Sequence, residues 1–331
     1  MSMLNRLRQT SILTVIVTYA ALVSLAHASD VQPSLQEAIE KLIASEFAAA
    51  HKIAAPIAAA GEPDAQHLIG YIYERGLGVQ RDVMRAIDLY ARAAAGGHAD
   101  SQFALGELAF TGAFAKQDDA KAFAWYKRAA ENGHTRGQTR LGFMYANGLG
   151  VDPDPAKAKE LFETAGAAGD PEAQYNLGAI YLSGAGVAVD YKKSAAWFEQ
   201  AAIQGHPGSQ YNLALLYDSP FLGEPDIQKT AKWMGEAAKA GMPAAMVAVG
   251  LLTHNGVIEA DRHPADWFEA AAELGDAQGK FLYAVALSKG DGRLKDKAEA
   301  KRLITEVIAL GDELDSDLRT SAAALAKELG A

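Results

Sequence analysis

The chain has 331 residues, 50% apolar and only 8% aromatic, with 31 basic against 41 acidic side chains and no cysteine. The net charge of −10 argues against a nucleic-acid binder, which would carry a basic patch. The missing cysteines exclude disulfides, thiolate metal sites, cysteine nucleophiles and a lipid-modified cysteine.

The first element is an address. Arg6 and Arg8 precede an uncharged, mostly apolar run from Ser11 to Leu25, and Ala26-His27-Ala28 supplies a small-x-small site before Ser29. Residues 1–28 therefore read as a secretory signal cleaved after Ala28, the alternative being a retained anchor. The run is shorter than the roughly 20 residues a membrane span needs. Cleavage predicts a periplasmic or secreted protein with no stable membrane insertion. Without the two arginines, 29 bases face 41 acids, a net charge of −12.

Residues 29–64 are expected to form an N-terminal helical cap. Ser34 with Glu37 makes a capping-box pattern for an opening helix. Residues 47–60 read as a second helix that Pro56 kinks or shortens.

From about residue 65 to 312 the chain repeats itself. One small-residue column runs Gly70, Gly106, Gly142, Gly178, Ala214, Gly250, in steps of 36. A second runs Gly76, Gly112, Gly148, Gly184, Pro220, Gly256, and a third Gly97, Gly133, Gly169, Gly205, Gly241. After Gly256 the spacing shrinks by two, then continues through Gly275, Gly290 and Gly311, making seven units. Each unit reads as two helices. In helix A, Ala65, Ile69, Ile72 and Tyr73 share one helical face, and Ala122, Trp125, Tyr126, Ala129 and Ala130 form the stripe of a helix B. A glycine inside helix A costs about 1 kcal/mol relative to alanine; its recurrence predicts a neighbour too close for a side chain. The second glycine column suits left-handed helix ends, and Asp82, Asp118, Asp154 and Asp190 suit N-caps of helix B. No unit can bury both stripes alone, so neighbours must stack into an all-α solenoid. Residues 313–331 read as a closing helix.

These residues carry a resemblance. Ala173-Gln174-Tyr175-Asn176-Leu177-Gly178, followed by Tyr181, Gly184, Gly186, Val187, Asp190, Ala195, Trp197, Phe198, Ala201, Ala202 and Gly205, resemble a Sel1-like repeat, a relative of the tetratricopeptide repeat. The resemblance implies a right-handed αα-superhelix that binds other proteins. With the signal, it implies an envelope or periplasmic partner, such as a sensor or an assembly component, in signalling, exopolysaccharide output or envelope assembly. A cell-wall glycan-binding accessory protein or enzyme, and a self-associating assembly factor, are the alternatives.

In folds of this kind helix A lines the inner surface. Opposite the core stripe of the first unit lie His67, Leu68, Tyr71, Glu74 and Arg75. The candidate protein-binding residues are His67, Tyr71, Phe103, Glu107, Arg140, Phe143, Tyr175, Asn176, Tyr211, Asn212, Leu215, Leu251 and Phe281. Exposed aromatic anchors often dominate interfaces; the competing reading is that Phe103, Tyr175 and Tyr211 pack helix A on helix A. Asn176 and Asn212 suit an extended peptide backbone, or only solvent. The irregular Ser219–Glu224 loop, with Phe221, reads as a degenerate repeat first and a contact second.

Catalytic chemistry is not indicated. There is no phosphate-binding G-x-x-x-x-G-K-[ST], no H-E-x-x-H, no G-x-S-x-G and no Ser-x-x-Lys. His98, His134 and His206 fall in one repeat column, shared with Asp170 and Asp276, and are expected to bond locally at the start of helix A. His254 and His263 share one irregular loop and are expected to approach each other without a metal. No enzyme activity, cofactor or metal is expected, and no oligomeric state is legible.

Overall fold

The computed structural model describes residues 33–113, 116–259 and 262–330, so the signal read at residues 1–28 lies outside the described residues. Among the described residues are 17 α-helices and no strand. Helices α1 (Pro33–Ile43) and α2 (Phe47–Ala59) come first. Seven helix A–helix B pairs succeed them: α3 (Pro63–Arg75) with α4 (Val83–Ala95), α5 (Ala99–Thr111) with α6 (Asp119–Glu131), and α7 (Thr135–Asn147) with α8 (Pro155–Ala167). The series continues with α9 (Pro171–Ser183) and α10 (Tyr191–Ile203), α11 (Pro207–Asp218) and α12 (Ile227–Lys239), and α13 (Pro243–His254) and α14 (Pro264–Glu273). It closes with α15 (Ala277–Lys289), α16 (Lys297–Ile308) and a final α17 (Ser316–Leu329). The chain divides within α8, after Thr164, into two compact units. In each, helices pack chiefly on their sequence neighbours, as a solenoid requires.

The small-residue column of helix A marks close helix contacts. A Cβ at Gly70 would stand 2.7 Å from the Tyr90 ring, at Gly106 2.5 Å from Tyr126, at Gly142 2.9 Å from Phe162, and at Gly178 2.5 Å from Phe198. Gly250 meets Phe268 at 2.5 Å. Each glycine thus faces an aromatic ring. Where the column holds alanine, the helix B residue 20 positions on is aliphatic: Ala214 goes with Met234, and Ala284 with Ile304, all buried. Helix ends behave as the sequence implies: Gly76, Gly112, Gly148, Gly184 and Gly290 are left-handed C-caps. Asp82, Asp118, Asp154 and Asp190 accept the N–H three residues on, and Asp226 and Asp296 do the same.

One N-terminal expectation needs correction, and a second is narrowed. Helix α1 already runs from Pro33, which suits the first helical turn, so Ser34 lies inside the helix rather than at a capping box. Pro56 does not shorten α2, which is 13 residues long like most helices here. Its missing N–H costs the bond to the carbonyl four residues earlier, and the packing of Ala50, Ala54 and Ala58, all buried, holds the helix across that gap.

A polar lock that helical periodicity does not reveal joins successive helices. The carbonyls of Ala58, Ala94, Gly166 and Ala202 each accept the backbone N–H three residues on, which leaves a second lone pair for another donor. Here Nε2 of Gln66, Gln102, Gln174 and Gln210 donates to the carbonyls of Ala58, Ala94, Gly166 and Ala202, each in the preceding helix, at 3.0–3.3 Å. Asn132 in turn donates to Gln102 Oε1, and Gln204 to Gln174 Oε1, both at 2.8 Å. In the fifth repeat that donor position is Ala240, and Gln210 Oε1 is buried without a hydrogen bond. Ala240 and Gln204 share the same backbone conformation. Ala240→Gln is therefore expected to stabilise the protein by about 1 kcal/mol, raising Tm by about 2 °C. An unchanged thermal unfolding curve would show that the missing donor is not what this acceptor lacks.

Candidate functional site

The helix A face is built from side chains that serve packing first. At the fifth position of helix A the sequence places His67, Phe103, Tyr175, Tyr211 and Phe281. His67 and Phe103 are buried, which corrects their reading as surface residues. Their rings close on the residue that caps the next helix A: His67 lies 5.0 Å from His98, Phe103 stacks at 4.5 Å on His134, and Tyr175 sits 4.8 Å from His206. Phe103 and Tyr175 also lean on Tyr126 and Phe198, the rings opposite the glycine column. The physical reason is that helix A packs against its own helix B and against neighbouring repeats, so a third side chain direction is enclosed.

The capping histidines behave as the column implies. Nδ1 of His98, His134 and His206 accepts the backbone N–H of Ser101, Gly137 and Ser209 at 3.2, 2.8 and 3.1 Å. An imidazole that accepts at Nδ1 carries its proton on Nε2. Those Nε2 atoms face Asp64 at 2.8 Å, Asp100 at 3.1 Å and Glu172 at 3.4 Å, each on the previous helix A.

The charged members of the face are tied within the protein. Glu107 accepts from Tyr126 Oη at 2.6 Å and from Arg140 Nε at 2.9 Å, joining repeats 2 and 3. Burial, and then the hydrogen bond to Glu107, raise the Tyr126 hydroxyl above the usual phenol range. Tyr71 is half-buried, with the Arg75 guanidinium 5.8 Å from its ring centre, and Phe143 meets Phe110 edge to face at 6.4 Å. Asn176 donates back to the Glu172 carbonyl of its own helix at 2.8 Å. Tyr211, Asn212, Leu251 and Phe281 are half-buried, and Leu215 is 44% exposed.

The accessible candidates differ between the two units. In the first, α3, α5 and α7 carry Asp64, Glu74, Arg75, Asp100, Glu107, Arg136 and Arg140. In the second, α9, α11 and α13 carry only Glu172 and Asp218 as formal charges, and both lie at helix ends. Tyr175, Asn176, Tyr211, Asn212, Leu215 and Leu251 therefore sit on helices uncharged between their ends. The irregular loop folds as a short 3-10 turn, Pro220–Leu222, with the half-exposed Phe221 stacked on Tyr191 at 4.2 Å.

His254 and His263 do converge, on Asp291, at 3.9 and 3.6 Å. His263 Nδ1 accepts the Ala265 N–H in a capping box completed by Asp266, so its Nε2 presents a proton, not a lone pair, to Asp291. Among the described residues no three His, Asp or Glu side chains are placed to hold a metal ion, and no helix is long and apolar enough to cross a membrane.

Comparison with known proteins adds the family. The model of the Sel1 repeat matches seven consecutive segments, residues 63–98, 99–134, 135–170, 171–206, 207–242, 243–276 and 277–312. No curated protein gives a match. Among solved structures, the chain is similar to a protective antigen of uropathogenic Escherichia coli displaying an SLR fold, with 24% identity and a TM-score of 0.67, covering 86% of this chain and 72% of that one. It is also similar to a Sel1 repeat protein from Oxalobacter formigenes, with 28% identity and a TM-score of 0.66, covering 73% of this chain and 97% of that one.

Proposed function

The chain belongs to the Sel1 repeat family, whose members are generally protein-interaction scaffolds, and we propose that it is an exported scaffold or regulator of a cell-envelope process. In this reading residues 1–28 direct it to the periplasm or outside the cell. It binds a protein or peptide of the envelope on helix A, chiefly through α9, α11 and α13.

The observation that carries the proposal is the uncharged stretch around Leu215. A solvated helix face normally gathers charge; here an exposed leucine is flanked by Tyr211 and Asn212 on helices with no formal charge between their ends. Tyrosine anchors such as Tyr211 often dominate binding energy, the exposed Leu215 adds apolar area beside it, and an asparagine amide both donates to and accepts from a peptide backbone. The partner surface that fits is uncharged and apolar.

Leu215→Arg tests it, because the exposed position tolerates the change without disturbing the core. Crosslinking and mass spectrometry on the mature chain in the periplasm are expected to recover a specific protein with the natural sequence. Recovery and affinity are expected to fall at least tenfold with Leu215→Arg, because the contact would then bury an unpaired charge against an apolar surface. Equal recovery by both forms would remove α11 from the binding surface.

A further inference from the structure

His67 is the point where three helices meet through titratable groups. It stands on α3, 8% exposed, with Nδ1 2.9 Å from Ser101 Oγ of α5. Its ring centre is 5.2 Å from Tyr90 of α4 and 5.0 Å from His98, the N-cap of α5. The other groups facing it are Asp64 on its own helix, Asp100 in the first turn of α5, and His134, the N-cap of α7. Both carboxylates are engaged by other histidines, Asp64 by His98 Nε2 and Asp100 by His134 Nε2. A proton on His67 would place a cation in ring contact with a second imidazole, within a buried junction.

We propose that the junction between the first and second repeats is an acid-operated latch: closed while His67 is neutral, and parted between α3 and α5 when His67 takes up a proton. The order of events is set by the surroundings. Burial, and then the neighbouring His98, push His67 down to about 3 from an ordinary 6.5. The closed junction thus binds fewer protons than the open one. Its stability is complete above pH 6.5 and is lost progressively as the pH falls toward 3. Asp100 stays ionised through this window: burial alone would raise it, but the hydrogen bond from His134 and the nearby histidines hold it below the usual carboxylate range. The change from pH 7.5 to 5 is expected to raise the open population about 30-fold.

Hydrogen exchange on the full chain reads this directly. After correction for intrinsic rates, α3 and α5 amides are expected to exchange about 30-fold faster at pH 5 than at pH 7.5. His67→Phe, which installs the ring that Phe103 supplies one repeat later, is expected to cut that ratio to about threefold or less. A variant that keeps the natural pH response overturns the proposal, and so does a natural chain with no response. Should His67→Phe fail to fold, NMR titration of the natural His67 ring decides: a ring neutral down to about pH 4 supports the latch. A ring that protonates near pH 6.5 with the junction closed overturns it.

Discussion

Gly150→Ala is expected to destabilise the protein by about 3–4 kcal/mol, a large loss for a single methyl group. Two costs add. Gly150 has φ +67°, in the left-handed region, where an L side chain costs about 1–2 kcal/mol. Its Cβ would also stand 2.4 Å from the Asp119 carbonyl oxygen, 2.6 Å from the carbonyl carbon and 2.8 Å from the Ala120 nitrogen. These are backbone atoms in the first turn of α6, whose start is fixed by the Asp118 cap. No rotamer change relieves such a contact, so the loop must lift from the helix, at about 1–3 kcal/mol. Gly256→Ala separates the two costs: its φ is +68°, and no atom lies within 4 Å of a Cβ there. It is expected to cost only about 1–2 kcal/mol. Urea unfolding of both variants measures the difference; midpoints that move equally would mean that the contact with α6 carries no cost of its own.

Phe198→Ala is expected to cost about 3–5 kcal/mol, since the ring is fully buried and its removal leaves a cavity against Gly178. The reverse insult, Gly178→Ala, drives a methyl to within 2.5–2.8 Å of three Phe198 ring atoms and is expected to cost about 2 kcal/mol despite the better helix propensity of alanine. The fifth repeat shows the remedy, with Ala214 and Met234 at the two positions. Gly178→Ala combined with Phe198→Met is therefore expected to recover most of the loss, because methionine is unbranched and bends around the added methyl. A double-mutant cycle by thermal unfolding measures the coupling; additive losses would mean that the ring and the glycine do not constrain each other.

The seven-unit, two-helix organisation was legible because small-residue columns recur in phase, from Gly70 through Gly250. The aspartate caps and the capping histidines were legible because each sits at a fixed distance before a helix. The outward face was harder. His67 and Phe103 lie opposite the core stripe of helix A, a position that on a surface helix would face solvent. In a stack that direction meets the next repeat, and a single helical period does not encode it. The glutamine lock escaped for a different reason. Gln66, Gln102, Gln174 and Gln210 stand in register, but a polar residue inside a helix reads as solvated unless the second lone pair of a last-turn carbonyl in the preceding helix is counted as its partner. At Ser219–Glu224, composition showed that the loop departs from the repeat, but not that Phe221 would lie flat on Tyr191.

The contacts between repeats have a direction. Gln66 reaches back to α2, Gln102 to α4, Gln174 to α8 and Gln210 to α10. The loop glycines do the same: Gly78 nests on Phe47 and Ala48, Gly150 on Asp119 and Ala120, and Gly292 on His263. His98 and His134 reach back to Asp64 and Asp100. Each of these locks is thus supplied by the later segment to the earlier one. A chain delivered amino end first can fasten each repeat back onto the one before it. Such a set of contacts favours assembly in one direction, repeat by repeat.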